Sequence, residues 1–220
     1  MARPKQSLLT RQRIVEVASA LVDAEGLEAV SVRRLATELG VQGPSLYNHF
    51  ATKAEILDAV ANAVVAEVDV SAFATCDWRD GLRLWAHSYH AVLSAHPNIV
   101  PVLAHGPGRR PAALAMANTV YGALVAAGWS ETRAIHIGAL MRYLVTGSTL
   151  GSFALGFPGD PELYEQYPHL HRAHLLAEHQ QCVDEGAFDL GLETLLSGLD
   201  HLLQERGVHH DVVGRRDAFP

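Results

Sequence analysis

The chain has 220 residues, of which 49% are hydrophobic and 19% charged, and a formal net charge of -7. That is enough apolar material for a packed core and too little charge for a disordered chain. No run approaches the ~20 apolar residues of a membrane span. The opening MARPKQSLLTRQR lacks the apolar stretch of a secretory signal, and Cys76 and Cys182 lie far apart with no partner motif, so a cytoplasmic location is expected.

Strand-like alternation is scarce and 3.6-residue periodicity recurs almost from end to end, so the predicted fold is all-α. A first helix follows Ser7 or Thr10, turns Ile14, Val17, Ala18, Leu21 and Val22 to one face, and stops at Gly26. Ser31 caps a short second helix that ends at Gly40, and a third short helix is expected near Pro44 to Phe50. Thr52 and Glu55 have the spacing of a capping box for a long helix with Ile56, Val60, Ala61 and Val64 inward.

Beyond it, Trp78, Leu82, Trp85, Tyr89 and Leu93 share a helical stripe, Pro97 and Pro101 limit regularity, and HGPGRRP at 105–111 reads as a break. A helix from Pro111 stops at Gly128, and Ser130 caps the next. After a Gly/Pro-rich loop at 151–161, two helices are expected, near Pro168 to Cys182 and from Phe188 to Glu205. The second bears a stripe of Leu192, Leu195, Leu196, Leu199, Leu202 and Leu203. This pattern divides the chain into an N-terminal three-helix part at 1–53, a longer helical part at 54–207 and a flexible tail at 208–220.

Charge follows the same division. Residues 1–53 hold seven Lys or Arg against five Asp or Glu, whereas the remainder holds ten against nineteen. A small basic head on an acidic body suits a protein that meets phosphate with one end.

The most informative stretch is SVRRLATELGVQGPSLYNHFATKAEILDAVA at 31–61. Two short helices meet at Gly40, a residue able to take the positive φ that lets the backbone turn sharply, which is the grammar of a helix-turn-helix. A recognition helix must show small and polar side chains to base edges while its far side is anchored. Leu46 and Phe50 supply the anchors, and Gln42, Gly43, Pro44, Ser45, Tyr47, Asn48 and His49 supply the candidate DNA-facing set. Asn48 can donate and accept at once, as adenine readout in the major groove requires. Ser45 and Tyr47 offer hydroxyls for phosphate oxygens, Pro44 can lie against a thymine methyl, and Arg33 and Lys53 bring charge. His49 has two readings of equal weight, a phosphate contact or a ring packed on the head.

LATELGVQGPSLYNHFATKAEILDAV resembles the DNA-binding signature of TetR-type regulators in its Leu-Ala, Leu-Gly-Val, Leu-Tyr-x-His-Phe and Lys spacings. DWRDGLRLWAHSYHAVLSAHP, HGPGRRP, LVAAGWS and FDLGLETLLSGL are similar, in order and spacing, to the ligand domain of the tetracycline-repressor branch. The resemblance implies a homodimer that binds a palindromic operator as a repressor until a small molecule enters the body. It also implies that the last two helices pair with those of a second subunit as a four-helix bundle. The matching positions for DNA contact are Arg33, Gly43, Pro44, Ser45, Tyr47, Asn48, His49 and Lys53.

An effector site between body helices would be lined by Trp85, Tyr89, Val120, Tyr121, Leu140 and Leu144, with His87 or His105 as polar points. The same aromatic residues are equally readable as plain core. His105 coincides with a histidine that, in tetracycline-responsive relatives, binds the drug's metal. Their drug-binding His, Asn, Phe and Gln fall by ungapped placement on Asp69, Trp85, Tyr89 and Val120. Most polar drug contacts are thereby lost, so an apolar or aromatic effector is expected in place of magnesium-tetracycline.

No cofactor and no structural metal are expected. His169, His171, His174 and His179 lie close in sequence, but helical spacing puts at most two on one face and no Cys or carboxylate completes a set. A solvated surface is the favoured reading, with an activator or a metal sensor on the same fold as a rival. The chain lacks GxSxG, HExxH, a phosphate-cradling loop and a Cys–His pair, which argues against an enzyme.

Overall fold

The computed structural model describes residues 9–103 and 108–209; the candidate Ser7 cap, His105 and the tail from residue 210 lie outside them. Among the described residues the chain is all-α, with helices α1 (Arg11–Glu25), α2 (Val32–Leu39), α3 (Gly43–Tyr47), α4 (Lys53–Val65), α5 (Trp78–Ala95), α6 (Val100–Leu103), α7 (Pro111–Ala126), α8 (Glu131–Thr149) and α9 (Gln180–His209). No helix among these residues is long and apolar enough to cross a membrane. Two compact units form: one from residues up to Val68 together with Val92–Ala115, the other from Asp69–Ala91 together with the chain from Met116 onward.

In the first unit the local signals act as the sequence predicts. Thr10 Oγ1 accepts from Arg13 N at 3.1 Å, Ser31 Oγ from Arg34 N at 3.2 Å and Thr52 Oγ1 from Glu55 N at 3.1 Å, so each helix start has one otherwise orphaned donor satisfied. The reciprocal arm of the Thr52 box lands one residue early: Glu55 Oε2 accepts from Ala51 N at 2.9 Å. The core here is Ile14, Ala18, Val22, Leu35, Leu46, Phe50, Ile56, Val60 and Val64, with α4 packed on α1. Residue 53, expected to end the head, is the first residue of α4 in this unit. Asn98 Nδ2 donates to the carbonyls of Val22 and Asp23 at 2.9 and 3.2 Å at the end of α1, where Val22 O also accepts from Gly26 N at 2.8 Å. Pro97 opens a 3-10 turn and Pro101 sits in the first turn of α6, where neither has an intrahelical donor to lose.

In the second unit Ser130 caps α8 and Gly128, at φ +99°, breaks the chain before it. The core comprises Leu82, Trp85, Tyr89, Val120, Leu124, Trp129, Ile137, Met141, Val145, Phe188, Leu192, Leu196 and Leu199.

Two expectations are corrected there. The helix expected near Pro168 to Cys182 is instead a run of three-residue turns, including 3-10 turns Ala173–Leu175 and Ala177–His179. Amide bonds from Tyr167 to Tyr164, Leu170 to Tyr167, Ala173 to Leu170, Leu176 to Ala173 and His179 to Leu176 recur every three residues. The ring and aliphatic side chains at 164, 167, 170, 173 and 176 share that repeat, which matches 3.0 residues per turn and drifts on a 3.6-residue helix. The last helix, expected from Phe188, begins at Gln180 and continues through Gly207 to His209.

Candidate functional site

The head's geometry follows from one backbone reversal. α2 ends at Gly40 in the left-handed conformation (φ 65°, ψ 32°), where a side chain is strained, and Val41 N bonds back to Ala36 O at 2.9 Å. Three residues later α3 begins, and Leu46 and Phe50 bury its inner side at 1% and 3% exposure. Gln42, Pro44, Tyr47 and Asn48 are exposed, Tyr47 to 57%; Gly43, Ser45 and His49 are partly exposed on the same short segment. Seven of the nine candidate DNA-facing residues are therefore consecutive or nearly so on one projecting element.

The remaining two, Arg33 and Lys53, stand on flanking helices. Arg33 is exposed and makes no ion pair among the described residues, whereas its neighbour Arg34 is held by Glu25 at 3.0 Å and Glu38 at 3.1 Å. Lys53 lies 3.5 Å from Glu28, a fully exposed carboxylate that is readily exchanged for phosphate. Sequence reasoning missed Arg11: its guanidinium lies 3.9 Å over the Phe50 ring and donates to the His49 carbonyl, bracing the end of the recognition segment.

The structure splits the candidate effector residues. Trp85, Tyr89 and Val120 are almost fully buried, with Trp85 5.9 Å from Tyr89 and 6.5 Å from Phe73, centroid to centroid. Tyr121 is half-buried and its ring occupies the space a Cβ would need at Gly138; Phe73 does the same at Gly81. Trp85 Nε1 is buried without a hydrogen-bond partner among the described residues, which leaves its desolvation uncompensated by them. Leu144 is partly buried against Gly191, while Leu140 faces solvent at 41% exposure and His87 is exposed, 3.9 Å from Asp189. Asp69 is exposed and accepts from Ser71 N at 2.8 Å, which holds its carboxyl below the usual carboxylate range.

Around the last helix, His90 stacks on Phe188 at 4.1 Å and His87 meets the same ring edge-on at 5.5 Å. Burial, with a smaller contribution from His87, pushes the His90 imidazole below its ordinary value. No three His, Cys, Asp or Glu side chains among the described residues converge as a metal set; His171 Nδ1 lies 3.1 Å from the Pro168 carbonyl, and His169 and His179 are exposed.

Comparison with known proteins matches two successive stretches of the chain to one family. The pattern of bacterial regulatory proteins of the tetR family fits residues 14–60, and that of the tetracyclin repressor-like C-terminal domain fits residues 74–203. An HTH-type transcriptional regulator of Saccharopolyspora erythraea is 36% identical over 64% of this chain, which spans 60% of that regulator's length. The class A tetracycline repressor of transposon 1721 from Escherichia coli is 30% identical over 84% of this chain and 88% of its own. Among solved structures, apo ActR of Streptomyces coelicolor superimposes with a TM-score of 0.75 at 29% identity, over 91% of this chain and 99% of ActR. ActR in complex with actinorhodin gives 0.72 at 28% identity, over 90% and 99%. The chain belongs to the tetR family of bacterial transcriptional regulators and carries a tetracycline-repressor-like C-terminal domain.

Proposed function

We propose that this protein is a homodimeric repressor whose head, residues 1–53, reads a palindromic operator and whose body releases it when an apolar or aromatic small molecule binds. The observation that carries the DNA half is the anchored, outward-facing segment Gln42–His49. Leu46 and Phe50 fix it, and Pro44, Tyr47 and Asn48 stand free to meet a major groove. Arg33 and Lys53 at its flanks suit phosphates.

Dimerisation is supported by apolar side chains that α8 and α9 leave uncovered: Tyr143 at 69%, Leu190 at 72% and Leu202 at 46% exposure. The leucine stripe of α9 is divided, since Leu192, Leu196 and Leu199 are buried within the protomer while Leu202 is exposed. An aromatic effector suits the ring-lined interior around Trp85 and Tyr89, where Trp85 Nε1, without a partner among the described residues, matches a ligand carbonyl or hydroxyl oxygen. The actinorhodin complex of ActR supports the same class. Magnesium-tetracycline is disfavoured because Trp85, Tyr89 and Val120 offer it little polar contact.

Release follows from spacing. Two heads must reach half-sites a whole number of turns apart, about 34 Å or a multiple, so a shift of α4 that alters head separation weakens binding. Footprinting on the DNA upstream of the protein's own gene, at fixed salt with excess competitor, should protect a two-fold site that aromatic candidate ligands then expose. Protection lost to competitor DNA would contradict specific binding.

A further inference from the structure

Helix α4 follows directly on the recognition segment, and two of its side chains reach a distant stretch of chain in the same unit. Asp58 Oδ1 accepts from Nε and Nη2 of Arg110 at 3.0 and 2.7 Å, and Arg110 Nη2 also donates to the Val102 carbonyl at 3.0 Å. One turn further along α4, Asn62 Oδ1 accepts from Ala112 N at 2.9 Å. Pro111 has no N–H, so Ala112 supplies the first free donor of α7, and Asn62 caps that helix from across the unit.

The asymmetry of the ion pair is informative. Arg110 is 9% exposed, while the Asp58 side chain is 61% exposed. A carboxylate on the open side of the pair could be solvated without the arginine; the buried guanidinium depends on the carboxylate. Two attachments at positions 58 and 62 lie on one face of α4 and oppose both sliding and axial rotation, which a single attachment does not. The helix they hold at its start, α7, runs on to Val120 and Tyr121.

We infer that Asp58 and Asn62 are positioning residues for DNA recognition, which fasten α4 to Arg110 and Ala112 and thereby set the angle of the recognition segment. This rests on the DNA-binding reading above. A free α4 would let the head rock and spread the two recognition segments over many separations. Sequence-specific affinity would then fall, while general attraction to phosphate stayed the same.

The test uses the full chain and a duplex that the wild-type protein selects from a random-sequence library, beside an unselected duplex of equal length. Asp58→Asn keeps the shape and removes the charge; it should weaken the selected duplex about tenfold, the scale of one charge-assisted bond. It should leave the unselected duplex and the slope of affinity against salt unchanged. Asp58→Glu should restore most of the loss, and Asn62→Ala, which alters no charge, should weaken the selected duplex by a few-fold with the same indifference to salt.

Electrostatics alone predicts the opposite sign, since deleting an acid close to the head tightens both duplexes. Tighter binding would overturn the inference. So would a loss equal on both duplexes and proportional to a fall in melting temperature, which marks a merely structural role. Should the wild-type protein enrich no sequence, the DNA-binding reading falls and takes this inference with it; should it enrich one that both variants bind normally, only this inference falls.

Discussion

The two units are held together by different means. In the first, short helices are set by caps and a left-handed glycine within a few residues of each helix end, and its long-range polar ties converge on single points such as Arg110. In the second, long helices lie side by side over a ring-filled interior, and polar ties form a row. Arg79, Arg83 and His87 along α5 face Asp200, Glu193 and Asp189 along α9, with Arg79–Asp200 at 2.6 Å and Arg83–Glu193 at 2.5 Å. Residue numbers rise on one helix as they fall on the other, so the two run antiparallel. The first unit is thus held at separate points, and the second by a row of ion pairs along two antiparallel helices.

Substitutions that remove the head's anchors should separate these designs most sharply. Leu46→Ala deletes a side chain buried to 1% exposure, at a cost of about 2–5 kcal/mol. It should abolish specific DNA binding while the tryptophan fluorescence of the body, from Trp78, Trp85 and Trp129, stays native. A body changed as much as the head would break the comparison.

Gly138→Ala is the counterpart. Its new methyl overlaps the Tyr121 ring and should cost about 1–3 kcal/mol. Thermal unfolding should show the loss, and the head's DNA affinity below the transition should be unaltered. Loss of DNA binding would mean that Tyr121 and the head are not separable.

Smaller effects test local parts. Ser31→Ala should cost the head about 1 kcal/mol through the lost cap on α2, which denaturant titration can resolve. His90 should make the body's stability fall on acidification. Its folded-state pKa lies below the ordinary 6.5, because burial and His87 disfavour the cation more than Glu185 and Asp189 favour it. The neutral ring's contribution is full above 6.5 and is lost as pH falls from there through the depressed value. His90→Gln should flatten that stretch of the stability profile, and an unchanged slope would remove His90 as its cause. At lower pH, Glu193, held below the usual carboxylate range by Arg83, should give a second decline that high salt reduces.

What could be read from the sequence follows the same contrast. Thr10, Ser31, Thr52 and Ser130 announce helix starts because a cap acts on an amide three residues on, and Gly26, Gly40 and Gly128 mark stops because few other residues accept positive φ. Leu46 and Phe50 are legible as anchors from spacing alone. The Arg110–Asp58 pair spans 52 positions and Arg11 over Phe50 joins two elements, so no local pattern foretells either. Leu140 was expected inward because a helix pattern gives a face but not what covers it. The histidine-rich stretch misled because an apolar repeat of three is close to 3.6 over two turns and parts from it only over four.

The central claim is that two copies of the head read a two-fold site. Selection from a random duplex library by the full-length protein, with the oligomer counted on the enriched DNA, tests it most directly. The account predicts an inverted repeat with half-sites about one helical turn or a multiple apart, bound by an even number of chains. An enriched site without internal symmetry, bound by a single chain, would contradict it.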